Sequence, residues 1–190
     1  VFFSIVGLLM SEFGTLYIAA NQAAISYSTF VYTVPWSISL TATIVVGYEV
    51  GAKNKIKAQQ YDTICFFVSL SLLVLTALFT FTFLNDIAAL FTHDKATLVT
   101  IRAFLIFALI FSACDAMGTP VQGMLRGYKD VRIITYVAFV TYWIIAVPMG
   151  YVLAHYTNFG PYGYWLSLVI SLGLNALILN GRLWFYTSRR

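Results

Sequence analysis

Charges interrupt this chain rarely, and the intervals between them have the length of bilayer crossings. No charged residue lies between Glu12 and Glu49, between Asp62 and Asp86, or between Arg132 and Arg182. A helix needs about 20 predominantly apolar residues to cross the hydrocarbon core, so these intervals hold roughly two, one and two crossings. The pattern predicts six in all, at about 1–19, 26–48, 63–84, 98–124, 133–155 and 162–186. Asn21-Gln22 opens the first turn, and the Gly, Pro and Asn of HYTNFGPYG mark the last. Pro35 removes a backbone donor within the second crossing and predicts a kink there. The stretch NDIAALFTHDKATLVTIR mixes apolar and polar residues without being apolar enough to span, and reads as an interfacial helix leading into the fourth crossing. The fold class expected is all-α, a polytopic membrane protein.

Composition agrees: 61% of the 190 residues are hydrophobic and 9% charged, where a soluble domain carries about 25% charged. The net charge of +4 would suit a nucleic-acid binder, but the cations sit in short clusters between apolar runs. That is the signature of cytoplasmic loops, and no nucleic-acid partner is expected. Lys53, Lys55, Lys57, Arg126, Lys129, Arg132, Arg182, Arg189 and Arg190 fall on one side, against Lys95 and Arg102 on the other. The loops at 49–61 and 123–132 and the C-terminus are therefore expected in the cytoplasm, with membrane lipid as the surroundings. The first ten residues, VFFSIVGLLM, lack the basic region of a signal peptide and read as part of a membrane helix. Cys65 and Cys114 lie in apolar surroundings with no CxxC or histidine partner, which points to packing rather than a disulfide or zinc.

Asp115 is the residue most in need of explanation, because it falls in the middle of the fourth crossing. Inserting such a charge costs about 2.5–3.5 kcal/mol on translocon scales. Ser112, Asp115, Thr119, Gln122 and Arg126 recur at helical spacing and form one polar stripe, which must face a water-filled cavity or other helices rather than lipid. The functional expectation is that Asp115 holds a proton or small cation at a cavity wall; the alternative is an aspartate that merely hydrogen-bonds a neighbouring helix. Ser167, Ser171 and Asn175 make a second polar line, where packing competes with cavity lining. Tyr32, Trp36 and Tyr142 are candidates to hold lipophilic cations on aromatic faces, whereas Tyr162, Trp165 and Trp184 fit an interfacial belt. Glu12 reads as interfacial, and Glu49, Asp62, Asp86, Asp94 and Asp130 as solvated link charges. Gly47 to Gly51 and Gly123 to Gly127 repeat the GxxxG spacing at helix ends, where glycine serves turns and caps. His93 and His155 stand alone in outward links, without metal-binding spacing.

Several segments together resemble the multidrug and toxic compound extrusion (MATE) family in its bacterial branch. They are AANQAAISYSTFVYTVPWSISLTATIVVGYEVGA, DAMGTPVQGMLRGYKD, YWIIAVPMGYVL and GPYGYW, and they cover nearly the whole chain. The resemblance implies a twelve-helix transporter of two six-helix lobes, with residues 1–190 as the C-terminal lobe beginning partway through its first helix. It implies export of small cationic lipophilic drugs in exchange for sodium ions or protons, with the N-terminal lobe as partner, in the bacterial inner membrane. Asp115 matches the family's carboxylate of the tenth crossing, so a sodium ion there is the only metal expected, and no cofactor is. Phe111 stands where some members carry a tyrosine. The family's carboxylate of the seventh crossing would fall before Val1, so Glu12 does not inherit its role.

Two rivals make different demands. A lipid-linked precursor flippase of related architecture would need a basic cavity, and no lysine or arginine occupies the middle of a predicted crossing. A membrane-embedded enzyme would need paired aspartates, a Ser/His pair or HExxH within the bilayer; the chain offers one such carboxylate, and no enzyme is expected. A purely structural module would leave the Asp115 stripe unexplained.

Overall fold

A computed structural model describes residues 2–92 and 94–188. Val1, His93, Arg189 and Arg190, and the side chains of residues 2–5, 95 and 96, lie outside the described parts, and with them the expectations for Lys95, His93, Arg189 and Arg190. Every regular element among the described residues is helical: α1 (Phe2–Met10), α2 (Thr15–Gly51), α3 (Lys55–Thr82), α4 (Leu84–Ala89), α5 (Lys95–Gly127), α6 (Val131–Phe139), α7 (Val147–Tyr156) and α8 (Tyr162–Ser188). A π-helical segment, Val140–Ala146, joins α6 to α7. Five helices are long and apolar enough to cross a membrane: Thr15–Gly51, Lys55–Thr82, Thr97–Gly127, Val131–Tyr156 and Tyr162–Ser188. The first predicted crossing, 1–19, is divided between α1, whose nine residues are too few to span alone, and the start of α2 at Thr15.

The first turn lies earlier than the polar pair Asn21-Gln22 suggests. A 3₁₀ turn, Ser11–Phe13, closes α1, and Gly14 at φ 103° reverses the chain in a conformation open to glycine. Asn21 is instead inside α2 and buried, accepting the indole N–H of Trp165 at 3.0 Å. Trp165 is itself fully buried, not in a surface belt: a polar side chain on a facing helix satisfies its one donor, so the ring can go inside. Trp165→Phe leaves the Asn21 amide oxygen buried without that donor. It is expected to lower the unfolding free energy by about 1–3 kcal/mol, read as a drop in thermal midpoint in detergent; an unchanged midpoint would mean the bond carries no stability.

The interfacial helix is shorter than its sequence suggests. α4 has six residues, and α5 begins at Lys95, capped by Asp94, whose carboxylate accepts the Thr97 backbone N–H at 2.9 Å. The π segment went unforeseen. Its sequence signal is Pro148 just beyond it, which has no N–H to return to the preceding helical turn.

α2 and α5 cross in close contact, and here the GxxxG glycines matter more than end-capping suggests. A Cβ at Gly123 would lie 2.1 Å from the Ser39 carbonyl oxygen, and one at Gly127 2.9 Å from the Gly47 nitrogen. The Thr43 hydroxyl donates to the Gly123 carbonyl at 3.0 Å. Small residues at this crossing let the backbones approach without side chains between them.

The links after α2 and α5 repeat one geometry. Lys53 and Lys129 take φ 60° and 64°, and Asn54 and Asp130 donate their backbone N–H to Glu49 and Leu125, each at 2.9 Å. The matching sequences, Gly-Ala-Lys-Asn and Gly-Tyr-Lys-Asp, form a short structural repeat that spacing alone did not disclose. Of the charges read as solvated, Glu49 and Asp62 are in fact buried, at 8% and 6% exposure. Asp130 pairs with Arg182 at 2.8 Å, while Asp86 is exposed. Glu12 is exposed and contacts His155 at 3.2 Å; His155 belongs to α7 and stacks on Tyr151.

Two apolar clusters fill the lobe. One gathers Met10, Ala24, Phe104, Phe111, Trp165 and Leu168; the other gathers Val46, Ala58, Val121, Met124, Leu125 and Leu179. Between their levels along α5 lie Ser112, Asp115 and Thr119, all buried.

Candidate functional site

The middle of α5 holds the polar stripe because apolar neighbours above and below fix the helix rotation. With Phe104, Ala108 and Phe111 buried in one cluster and Val121 and Leu125 in the other, the face between them turns inward as well. Asp115 is 8% exposed, and its Oδ1 accepts the Thr119 hydroxyl at 3.0 Å. A carboxylate offers about four lone-pair sites, so one such bond leaves room for a further ligand.

Asp115 stands at the wall of a cavity of about 680 Å³. α5 contributes Phe111, Asp115, Thr119 and Gln122, and α2 contributes Ile25, Ser28, Thr29 and Tyr32. Ala138, Tyr142 and Trp143 close the third side, from α6 and the π segment. The wall is thus aromatic and hydroxyl-bearing with one carboxylate, and no lysine or arginine lines it among the described residues. Its volume lies within the 300–1,000 Å³ typical of small-molecule sites. Ser28 Oγ is buried without a hydrogen-bond partner.

Six of the ten sequence candidates meet here: Asp115, Phe111, Thr119, Gln122, Tyr32 and Tyr142. The other four lie elsewhere. Ser112 is about 60° around the helix from Asp115. It lines a narrow gap toward α3 that Asp115 and Tyr32 also border, with Pro35 and Ser69, and donates to the Ala108 carbonyl at 2.8 Å. Trp36 is one turn beyond Tyr32, with Arg126 5.5 Å above its ring, so the cation that ends the stripe is held over an aromatic face. Ser171 and Asn175 are buried in helix packing, where the Asn175 amide donates to Thr141 at 3.1 Å.

Ser28, Thr29 and Trp143 were missed. For α2 the signal was present: Ile25, Ser28, Thr29 and Tyr32 recur at i, i+3, i+4 and i+7, one helical face. For Trp143 it was not, because a π-helical segment changes the angle per residue and shifts the face of every position after its start.

Comparison with known proteins places this architecture. The model of the MatE family matches residues 1–152. The "Probable multidrug resistance protein NorM" of Halalkalibacterium halodurans is 42% identical over 181 residues, covering 95% of this chain and 40% of that protein. The protein of the same name from Bacillus subtilis is 41% identical, again over 95% and 40%. Among solved structures, a eukaryotic MATE transporter superposes with TM-score 0.89 at 19% identity, over 96% of this chain and 41% of its own. A MOP superfamily transporter from Pyrococcus furiosus superposes with TM-score 0.83 at 20% identity, over 98% and 42%. The chain belongs to the MatE family, and spans about 40% of the length of the curated relatives it matches.

Proposed function

We propose that this MatE-family lobe is part of a secondary exporter that exchanges cationic lipophilic compounds for sodium ions or protons by alternating access. The observation that carries the reading is Asp115, buried in the wall of a drug-sized, aromatic-lined cavity in which no basic side chain among the described residues opposes it. A single negative charge in such a space can serve either an inorganic cation or an organic one, but not both at full strength. Competition for it couples the two fluxes: each ligand weakens the other by the same factor, as linkage requires. Tyr32, Phe111, Tyr142 and Trp143 offer flat apolar faces to the organic cation, while Thr119 and Gln122 offer oxygens to a smaller one. The cluster of Lys53, Lys55, Lys57, Arg126 and Lys129 supports a cytoplasmic orientation for their end of the bundle. A lipid-linked precursor flippase would want phosphate-binding cations at this wall, which is lined by none among the described residues.

The test is counterflow in proteoliposomes containing the full-length protein. A sodium or pH gradient imposed alone is expected to accelerate movement of a fluorescent aromatic cation several-fold over the gradient-free rate, and the effective gradient names the coupling ion. Equal rates with and without both gradients would remove the exchange mechanism.

A further inference from the structure

A second buried carboxylate lies away from the Asp115 cavity, at the end of the bundle that carries the lysine clusters. Asp62, near the start of α3, accepts the Tyr128 hydroxyl on Oδ2 at 2.6 Å, while its Oδ1 is buried with no hydrogen-bond partner. Burial, and then its bond to Asp62, push the Tyr128 hydroxyl far above its ordinary range, so it stays a donor. Asp62 lines a groove of about 510 Å³ between α3 and α8. The opposite wall carries Asn180, whose amide hydrogens go to the carbonyls of Met117 and Ala176 at 3.1 and 2.8 Å, leaving its oxygen as an acceptor. Phe66, Phe67 and Trp184 supply aromatic faces, and no lysine or arginine lines the groove among the described residues.

We propose that this groove binds an ammonium group carried on an apolar body, with Asp62 as its counter-charge. An orphaned, buried carboxylate oxygen is costly without a cation or a proton, and Gln59, Thr63, Asn180, Thr187 and Ser188 along the groove supply no charge to offset it. Aromatic faces around it suit a weakly hydrated organic cation, and a bare metal ion would leave most of the groove unfilled. The chemistry is shared by two sources, a free lipophilic ammonium compound and the headgroup of phosphatidylethanolamine. Binding here does not depend on exchange at Asp115, so either reading can fail while the other stands.

The experiment uses the full-length protein carrying Asp115→Asn, which removes the charge of the larger cavity, in nanodiscs of phosphatidylglycerol. The probe is dansylaminopropyl-trimethylammonium, whose emission reports its burial. Saturable binding is expected, weakened at least about tenfold by adding Asp62→Asn, the effect of losing a charged partner. Tyr128→Phe, which keeps the carboxylate, is expected to bind within a few-fold of its parent. Phe67→Ala is expected to weaken binding without altering the thermal midpoint, which keeps the test decisive if Asp62→Asn folds poorly. Displacement of the probe by phosphatidylethanolamine added to the nanodiscs assigns the site to the lipid; no displacement assigns it to the free cation. Absence of saturable binding, or binding indifferent to both Asp62→Asn and Phe67→Ala, overturns the proposal.

Discussion

Full-length protein carrying Asp115→Asn is expected to assemble in the membrane yet lose the proposed acceleration of drug efflux by an ion gradient. The substitution is close to isosteric, and an asparagine oxygen can still accept the Thr119 hydroxyl that now reaches Oδ1 at 3.0 Å. Removing a buried charge relieves a desolvation cost instead of adding one, so stability should hold or rise. What disappears is the negative charge that the proposed exchange assigns to the two cations in turn. Coupling factors between sites are typically of order 5–150-fold, and without that charge the factor should fall toward one: drug movement becomes slow and indifferent to the gradient. The measurement is the ratio of efflux rates with and without the gradient, and Asp86→Asn, at an exposed position, is the control. A variant at Asp115 with its ratio intact would show that the carboxylate is a packing residue.

Gly123→Val is expected to act by the opposite route, through assembly alone. The Cβ it introduces would meet the Ser39 carbonyl oxygen at 2.1 Å and the Ser39 Cα at 2.8 Å. These are backbone atoms, so no side-chain rotation relieves the clash, and α2 must move from α5. That separation also breaks the bond from the Thr43 hydroxyl to the Gly123 carbonyl and opens the cavity wall, since both helices contribute to it. Overpacking a relaxed core costs about 1–3 kcal/mol, and a backbone collision belongs at or beyond the upper end. The outcome expected is loss of most monodisperse protein on size-exclusion chromatography in detergent. Gly51→Val, where an added Cβ has nothing within 4 Å, should be tolerated. Equal yields from the two variants would mean that the α2–α5 crossing is looser than its geometry.

Both predictions concern positions visible in the amino-acid sequence, but they were visible to different degrees. Asp115 stood out because a charge amid apolar residues is costly wherever its helix points. Gly123 and Gly127 looked like end caps, because a glycine's partner across a helix crossing leaves no trace in the local pattern. Asp62 was misread for a related reason: its place near the end of an apolar run suggests water. Ala58, Asp62, Cys65 and Ser69 are all buried on one face of α3, and tertiary packing alone makes that face inward.

Charge spacing and apolar run length determined that this chain is helical, crosses a membrane repeatedly and carries one carboxylate in the middle of an apolar run, because lipid penalises every unpaired polar group regardless of the fold. Which residues share a cavity with that carboxylate was decided by the tertiary structure. Helix rotation and crossing distance depend on contacts between segments far apart in the chain, and the π-helical turn resets the facing of Tyr142 and Trp143 in a way that no helical periodicity encodes.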